Sequence, residues 1–156
     1  MFLHGLKTVK NLLLFHILKI KMKTLKKINE IIKNLNPKIN KGEYVFCSVN
    51  NLDNINSKKI IGTFLEKKGL SIIIDKKEAR NLGLSYSFIA SWITLKVNSS
   101  LDSVGLTATF SSALAKNGIS CNVISGYYHD HIFVNINDKN KAMNILKNLS
   151  TEFDEI

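Results

Sequence analysis

Trp92-Ile93-Thr94-Leu95-Lys96-Val97 places Ile93, Leu95 and Val97 on one side of an extended chain and Trp92, Thr94 and Lys96 on the other. A period of two predicts a half-buried strand. After the polar break Asn98-Ser99-Ser100, Leu106, Phe110, Ala113 and Leu114 recur at helical spacing, with Asp102 as expected N-cap and Gly118 as stop. Ile119, Cys121 and Val123 alternate again, and so do Ile132, Val134 and Ile136 beyond the connection Ser125-Gly126-Tyr127-Tyr128-His129-Asp130. Asp138 is then expected to cap a helix carrying Ala142, Ile145, Leu146 and Leu149 on one face.

The resulting order, β-α-β-β-α, predicts an α+β, ferredoxin-like βαββαβ module that lacks its last strand or receives it from elsewhere. Both helices should cover the face holding Ile93, Leu95, Val97, Ile119, Cys121, Val123, Ile132, Val134 and Ile136. The opposite face collects Trp92, Thr94, Lys96, Ser120, Asn122, His131, Phe133 and Asn135. That mixture is too aromatic for plain solvent exposure and too polar for a sealed core, so a partner surface is expected there.

The turn Asp102-Ser103-Val104-Gly105-Leu106, with Ser112-Ala113-Leu114-Ala115-Lys116-Asn117-Gly118-Ile119-Ser120 after it, resembles the signature of the ACT domain, a small amino-acid-sensing module. The run from Ser125 through Val134 narrows the likeness to small bacterial proteins with two ACT-like halves. The resemblance covers roughly residues 22 to 149. It implies tandem halves packed together, with a small amino acid held at their interface or at that of a dimer. By position it implies Val104, Gly105 and Leu106 amides for the ligand carboxylate, Asn122 as a side-chain partner, Asp102 for an ammonium group and His131 as a further contact. Many ACT domains carry proline where this chain has Val104, so the turn here lacks that φ restraint. The role competing with ligation is a helix cap for Asp102, a turn glycine for Gly105 and a hydrogen bond between halves for Asn122.

The chain has 156 residues, enough for one compact domain or two very small ones. Its formal charge of +10 is unevenly placed. Seven of the 22 basic residues and none of the 12 acidic ones lie in residues 1–27, leaving 15 basic against 12 acidic residues in 28–156. Nucleic acid is therefore not the expected partner, although an RNA-binding module with Phe133 and Trp92 as stacking platforms is the rival reading, beside a purely structural one. Residues 1–21 contain the apolar run Leu12-Leu13-Leu14-Phe15-His16-Ile17-Leu18, too short to span a membrane and without a small-residue cleavage site. They read as an N-terminal extension, with Met22 as an alternative start.

The resemblance implies a degenerate ACT-like half over residues 22–86 and a second ACT domain over residues 87–156. In the first, Leu25, Ile28, Ile31, Ile32 and Leu35 predict a helix ended by Pro37, followed by strands over 44–49, 59–65 and 70–75 and a short helix over 76–82. No first crossover helix is legible, and these strands are expected to complete the sheet of the second half.

Neither catalysis, cofactor nor metal is expected. His129-Asp130-His131 offers donors, but zinc normally takes three or four protein ligands and no second cluster supplies the rest. Cys47 and Cys121 sit in apolar strand patterns as small hydrophobes and fit a reducing cytoplasm. The expected protein is thus a cytoplasmic, non-catalytic regulatory one, homo-oligomeric, with a further protein partner for its open face.

Overall fold

The computed structural model describes residues 15–19, 22, 23, 26, 28–97 and 103–152. Most of the N-terminal extension and Asp102 lie outside them. No helix among the described residues is long and apolar enough to cross a membrane.

After helix α1, residues 28–33, come strands β1 (Pro37–Ile39), β2 (Tyr44–Val49), β3 (Ile60–Glu66) and β4 (Gly69–Asp75) and helix α2 (Lys76–Asn81). The second half continues with β5 (Ile89–Leu95), α3 (Leu106–Lys116), β6 (Asn122–Ser125), β7 (Asp130–Asn135) and α4 (Lys139–Glu152). One seven-stranded sheet results, ordered β3-β4-β2-β5-β7-β6, with β1 beside β5. It is built as two interlocked ferredoxin-like modules.

The second module runs β5-α3-β6-β7-α4, and its missing fourth strand is β1, antiparallel to β5 with Pro37 opposite Leu95 and Ile39 opposite Ile93. The expectation that the strands of 44–75 would complete this sheet is corrected. Only the start of β2 reaches β5, through Tyr44 opposite Ala90 and Val45 opposite Ile89, and that contact gives the first module its own fourth strand. Pro37 both ends the helix and opens β1, a position where proline's missing N–H costs little. A strand of three residues after a helix-ending proline has too short a pattern to be legible in sequence.

Other boundaries shift for local reasons. β5 begins at Ile89, and Val97 lies beyond its end although buried. β6 begins at Asn122, so Ile119 and Cys121 reach the core from the connection after α3. Ile136 belongs to a 3-10 turn, Ile136–Asp138, whose cap is Asn135, accepting from the Asn137 N–H at 2.9 Å. Asp138 is thus inside the turn that leads into α4, where a cap was expected.

All packed helices cover one face of the sheet. Ile93, Leu95, Ile132 and Val134 meet Leu106, Phe110 and Leu114 of α3 and Ala142 and Leu146 of α4, with Ile32 of α1 in the same cluster. Val45, Cys47, Ile72 and Ile74 meet Ala79 of α2 in a second cluster. The place of the absent first crossover helix is taken by the loop 50–56 and a 3-10 turn, Ser57–Lys59.

The helix-free face covers part of itself. Tyr44, Ile73, Ala90 and Phe133 are buried there, with Phe46, Phe88 and Trp92 against them. Phe46 meets Phe133 edge-on at 5.3 Å, and Trp92 stacks on the same ring at 6.0 Å and 15°. Phe133 is 1% exposed, so it cannot be a stacking platform for a base. An aromatic cluster contributed by both modules therefore seals the middle of this face.

Candidate functional site

Helix α3 starts at Leu106 with Gly105 as its N-cap residue, at φ 96°. Gly105 replaces Asp102 in the capping role that the sequence assigned, and it brings no side-chain cap. The positive φ suits glycine because other residues meet their own Cβ there. The space above Gly105 has a second owner. A Cβ at this position would run into Cδ1 of Ile28 on α1. Close approach to the Gly105 backbone, expected for a ligand, is thus made by Ile28 within the chain. Val104 stays open at 73% exposure, and Leu106 is buried beneath the turn.

The first amides of α3 have no acceptor within the helix, and with the helix dipole they favour an anion. The Gly105 carbonyl is already taken, accepting from both the N–H and the hydroxyl of Thr109 at 2.9 Å. Donors therefore dominate the chemistry of the turn.

The structure does not bring Asn122 to this turn. Asn122 lies opposite Phe133, which lies opposite Trp92, three residues before the end of β5 from which the chain departs toward the turn. At about 3.3 Å per residue that is roughly 10 Å along the sheet. Its side chain shares the helix-free face with Phe133, and its amide reaches the Phe133 carbonyl at 3.4 Å.

His131 lies on that same face in a defined network. Its Nδ1 accepts from the Trp92 indole N–H at 3.0 Å and lies 3.1 Å from the Thr94 hydroxyl, which in turn accepts from the Asn40 amide at 2.9 Å. Indole nitrogen only donates, so Nδ1 must be unprotonated and the proton must sit on Nε2. Burial, with the nearby His129, lowers the His131 pKa against the opposing pull of Asp130. A histidine held neutral stabilises the fold above its unfolded pKa of about 6.5, and this contribution is lost as pH falls through that value toward the folded one. Thermal melts should therefore lose stability below about pH 6.5, and the step should be absent from His131→Asn and so appear in full in the wild-type-minus-variant difference.

Cys121 is half-buried and its thiol is pushed up to about 11 by burial. Only about one thiolate in ten thousand is then present at pH 7, which makes a nucleophilic pairing with His129 chemically weak. Among the described residues no three His, Cys, Asp or Glu side chains converge as metal ligands.

Comparison with known proteins agrees with this architecture. An ACT-domain pattern matches residues 87–148 and a second ACT-domain pattern matches 23–91. A protein of unknown function from Vibrio cholerae, described as a possible transport protein, is 41% identical, with 81% of this chain and 98% of that one covered at a TM-score of 0.73. An Agrobacterium tumefaciens protein shares the fold at 22% identity and a TM-score of 0.57, covering 74% and 89% of the two chains. So does the ligand-free regulatory subunit of aspartate kinase from Thermus thermophilus, at 6% identity and a TM-score of 0.53, with 72% and 95% covered. No curated protein matches the sequence. The chain belongs to the ACT-domain family, with two ACT domains in tandem that share one sheet.

Proposed function

We propose that this protein is a non-catalytic regulatory module that binds a small amino acid, with the ligand carboxylate on the amides of Val104, Gly105 and Leu106. The observation that carries this reading is the start of α3 at a positive-φ glycine within an ACT domain. With Ile28 standing on Gly105, the ligand approaches from the exposed Val104 side. Asp102 supplies the carboxylate for the ammonium group. Asn122 and His131 lie on the other face, so their part in binding is across a contact between copies, which makes the working form a homo-oligomer in the cytoplasm. Binding would act on a protein partner by favouring one assembly over another, to the extent that the two differ in affinity for the ligand.

Thermal melts with each of the twenty amino acids test this reading. A ligand present at 100 times its Kd adds about 2.7 kcal/mol of stability and raises Tm accordingly. Val104→Pro brings in the residue that many ACT domains carry and removes the donor N–H that is proposed for this chain in its place, and Val104 has no positive φ to forbid the substitution. A hydrogen bond to a charged group contributes about 1.5–3 kcal/mol, so binding should weaken roughly tenfold to a hundredfold. No shift with any amino acid at millimolar concentration overturns the reading.

A further inference from the structure

The strands at the two ends of the sheet order, β3 and β6, line one cleft of about 410 Å³ on the helix-free face. The sheet therefore curls until its two ends border the same space, in the manner of a barrel with a gap. Phe46, Phe64, Ile73 and Ile124 form an apolar floor and walls, Ser71 stands among them, and none of the lining side chains is ionisable. Phe64 is 73% exposed.

The polar part of the cleft is mostly backbone. Thr63 lies opposite Ile72, and Val123 opposite Ile132, so the side chains of Thr63 and Val123 belong to the helix-covered face and border the cleft with their main chain. The Gly126 N–H bonds the His129 carbonyl at 2.9 Å, which makes 126–129 a bonded pair. In an antiparallel ladder bonded pairs alternate, so the N–H and C=O of Val123 and Ser125 point away from β7. The two-residue turn after Glu66 likewise turns Thr63 away from β4. Unpaired donors and acceptors thus flank an aromatic cleft on both sides. The Ser71 hydroxyl donates to Glu66 and keeps its lone pairs for a further donor. Gly62 sits beside a register shift in β3, and a glycine inside a strand marks a bulge or a place where another molecule comes close.

We infer that this cleft is a second binding site, for an uncharged aromatic heterocycle of one or two fused rings whose ring N–H meets a strand-edge carbonyl or Ser71 while its faces rest on Phe46 and Phe64. The volume lies within the range of small-molecule pockets. Zwitterions do not suit it, because a carboxylate buried there finds no cation to offset its desolvation. The site is independent of the amino-acid reading at the Val104 turn.

Gly62 supplies the test. Its φ is not positive, and an added Cβ would meet only Cδ1 of Ile73 at 3.6 Å, an ordinary contact. Gly62→Val should fold, fill the cleft and suit a strand. Indole and L-tryptophan are titrated against wild type and Gly62→Val by thermal melt and calorimetry, with size-exclusion chromatography alongside. Indole should raise the wild-type Tm, and its affinity should fall about tenfold or more in Gly62→Val, the equivalent of ~1.4 kcal/mol. Any shift produced by L-tryptophan should be the same in both proteins. Phe64→Ala, which removes one exposed wall, should weaken indole as well. No Tm rise with millimolar indole, equal indole affinity in Gly62→Val, or a change of oligomer size in that variant without indole binding to wild type overturns the inference. Failure of every amino acid to bind would leave this result unaffected.

Discussion

Gly105→Val should destabilise the protein by about 2–6 kcal/mol, the largest effect of any substitution at the candidate site. Two costs combine. A β-branched residue at φ 96° is strained, at about 1–3 kcal/mol. The new Cβ also meets Cδ1 of Ile28, and relief requires α1 to shift off the turn, at about 1–3 kcal/mol. Urea unfolding of Gly105→Ala with and without Ile28→Ala separates the two. Ile28→Ala should recover the steric share and leave the backbone share, a coupling of about 1 kcal/mol or more. Equal costs in both backgrounds would show that α1 does not press on the turn. The same geometry makes Gly105 a poor probe of ligand binding, since its variants disturb packing first. Ile28→Ala is the informative change, for it uncovers the Gly105 backbone without straining it.

Phe133→Ala should cost about 3–5 kcal/mol. The ring is 1% exposed and has Phe46, Tyr44 and Trp92 around it at 5.3, 6.5 and 6.0 Å. Tyr44 and Phe46 come from β2 of the first ACT domain, whereas Trp92 and Phe133 come from β5 and β7 of the second. The loss therefore falls on the seam between domains. Trp92 is the single tryptophan, so its fluorescence reports this seam while far-UV circular dichroism reports the whole chain. In wild type the two probes should unfold together; in Phe133→Ala the midpoint should fall and the fluorescence transition should come first. A midpoint unchanged within about 1 kcal/mol would mean that the seam repacks without the ring.

The sequence carried the second domain almost intact because its signals are long and regular. Alternation around Ile93 and Ile132 and the helical spacing of Phe110 and Leu114 each span several turns or pairs, and the helix-covered core contains them. The short elements were illegible for a matching reason. β1 has three residues, and one period of alternation cannot be told from chance. The site was legible in part. Val104, Gly105 and Leu106 occupy the expected turn, yet no local pattern tells that Ile28, 77 positions away, stands on Gly105. Likewise Asn122 was grouped with the turn by family position, and only the strand register shows it three residues down and on the other face. The curl that brings β3 to β6 is a property of the whole sheet, so Gly62 and Phe64 gave no signal at all.

Because β1 sits beside α4 and completes the sheet of β5 and β7, the C-terminal domain is finished by a segment made first on the ribosome. During synthesis β1 must wait for some fifty residues before β5 exists to receive it. A scission between the halves at 86/87 would accordingly yield two incomplete domains, each lacking a strand that the other holds. Moving residues 36–42, which hold β1, to follow α4 would instead restore the uninterrupted βαββαβ order in the second domain, a rearrangement favoured by the packing of α4 against β1.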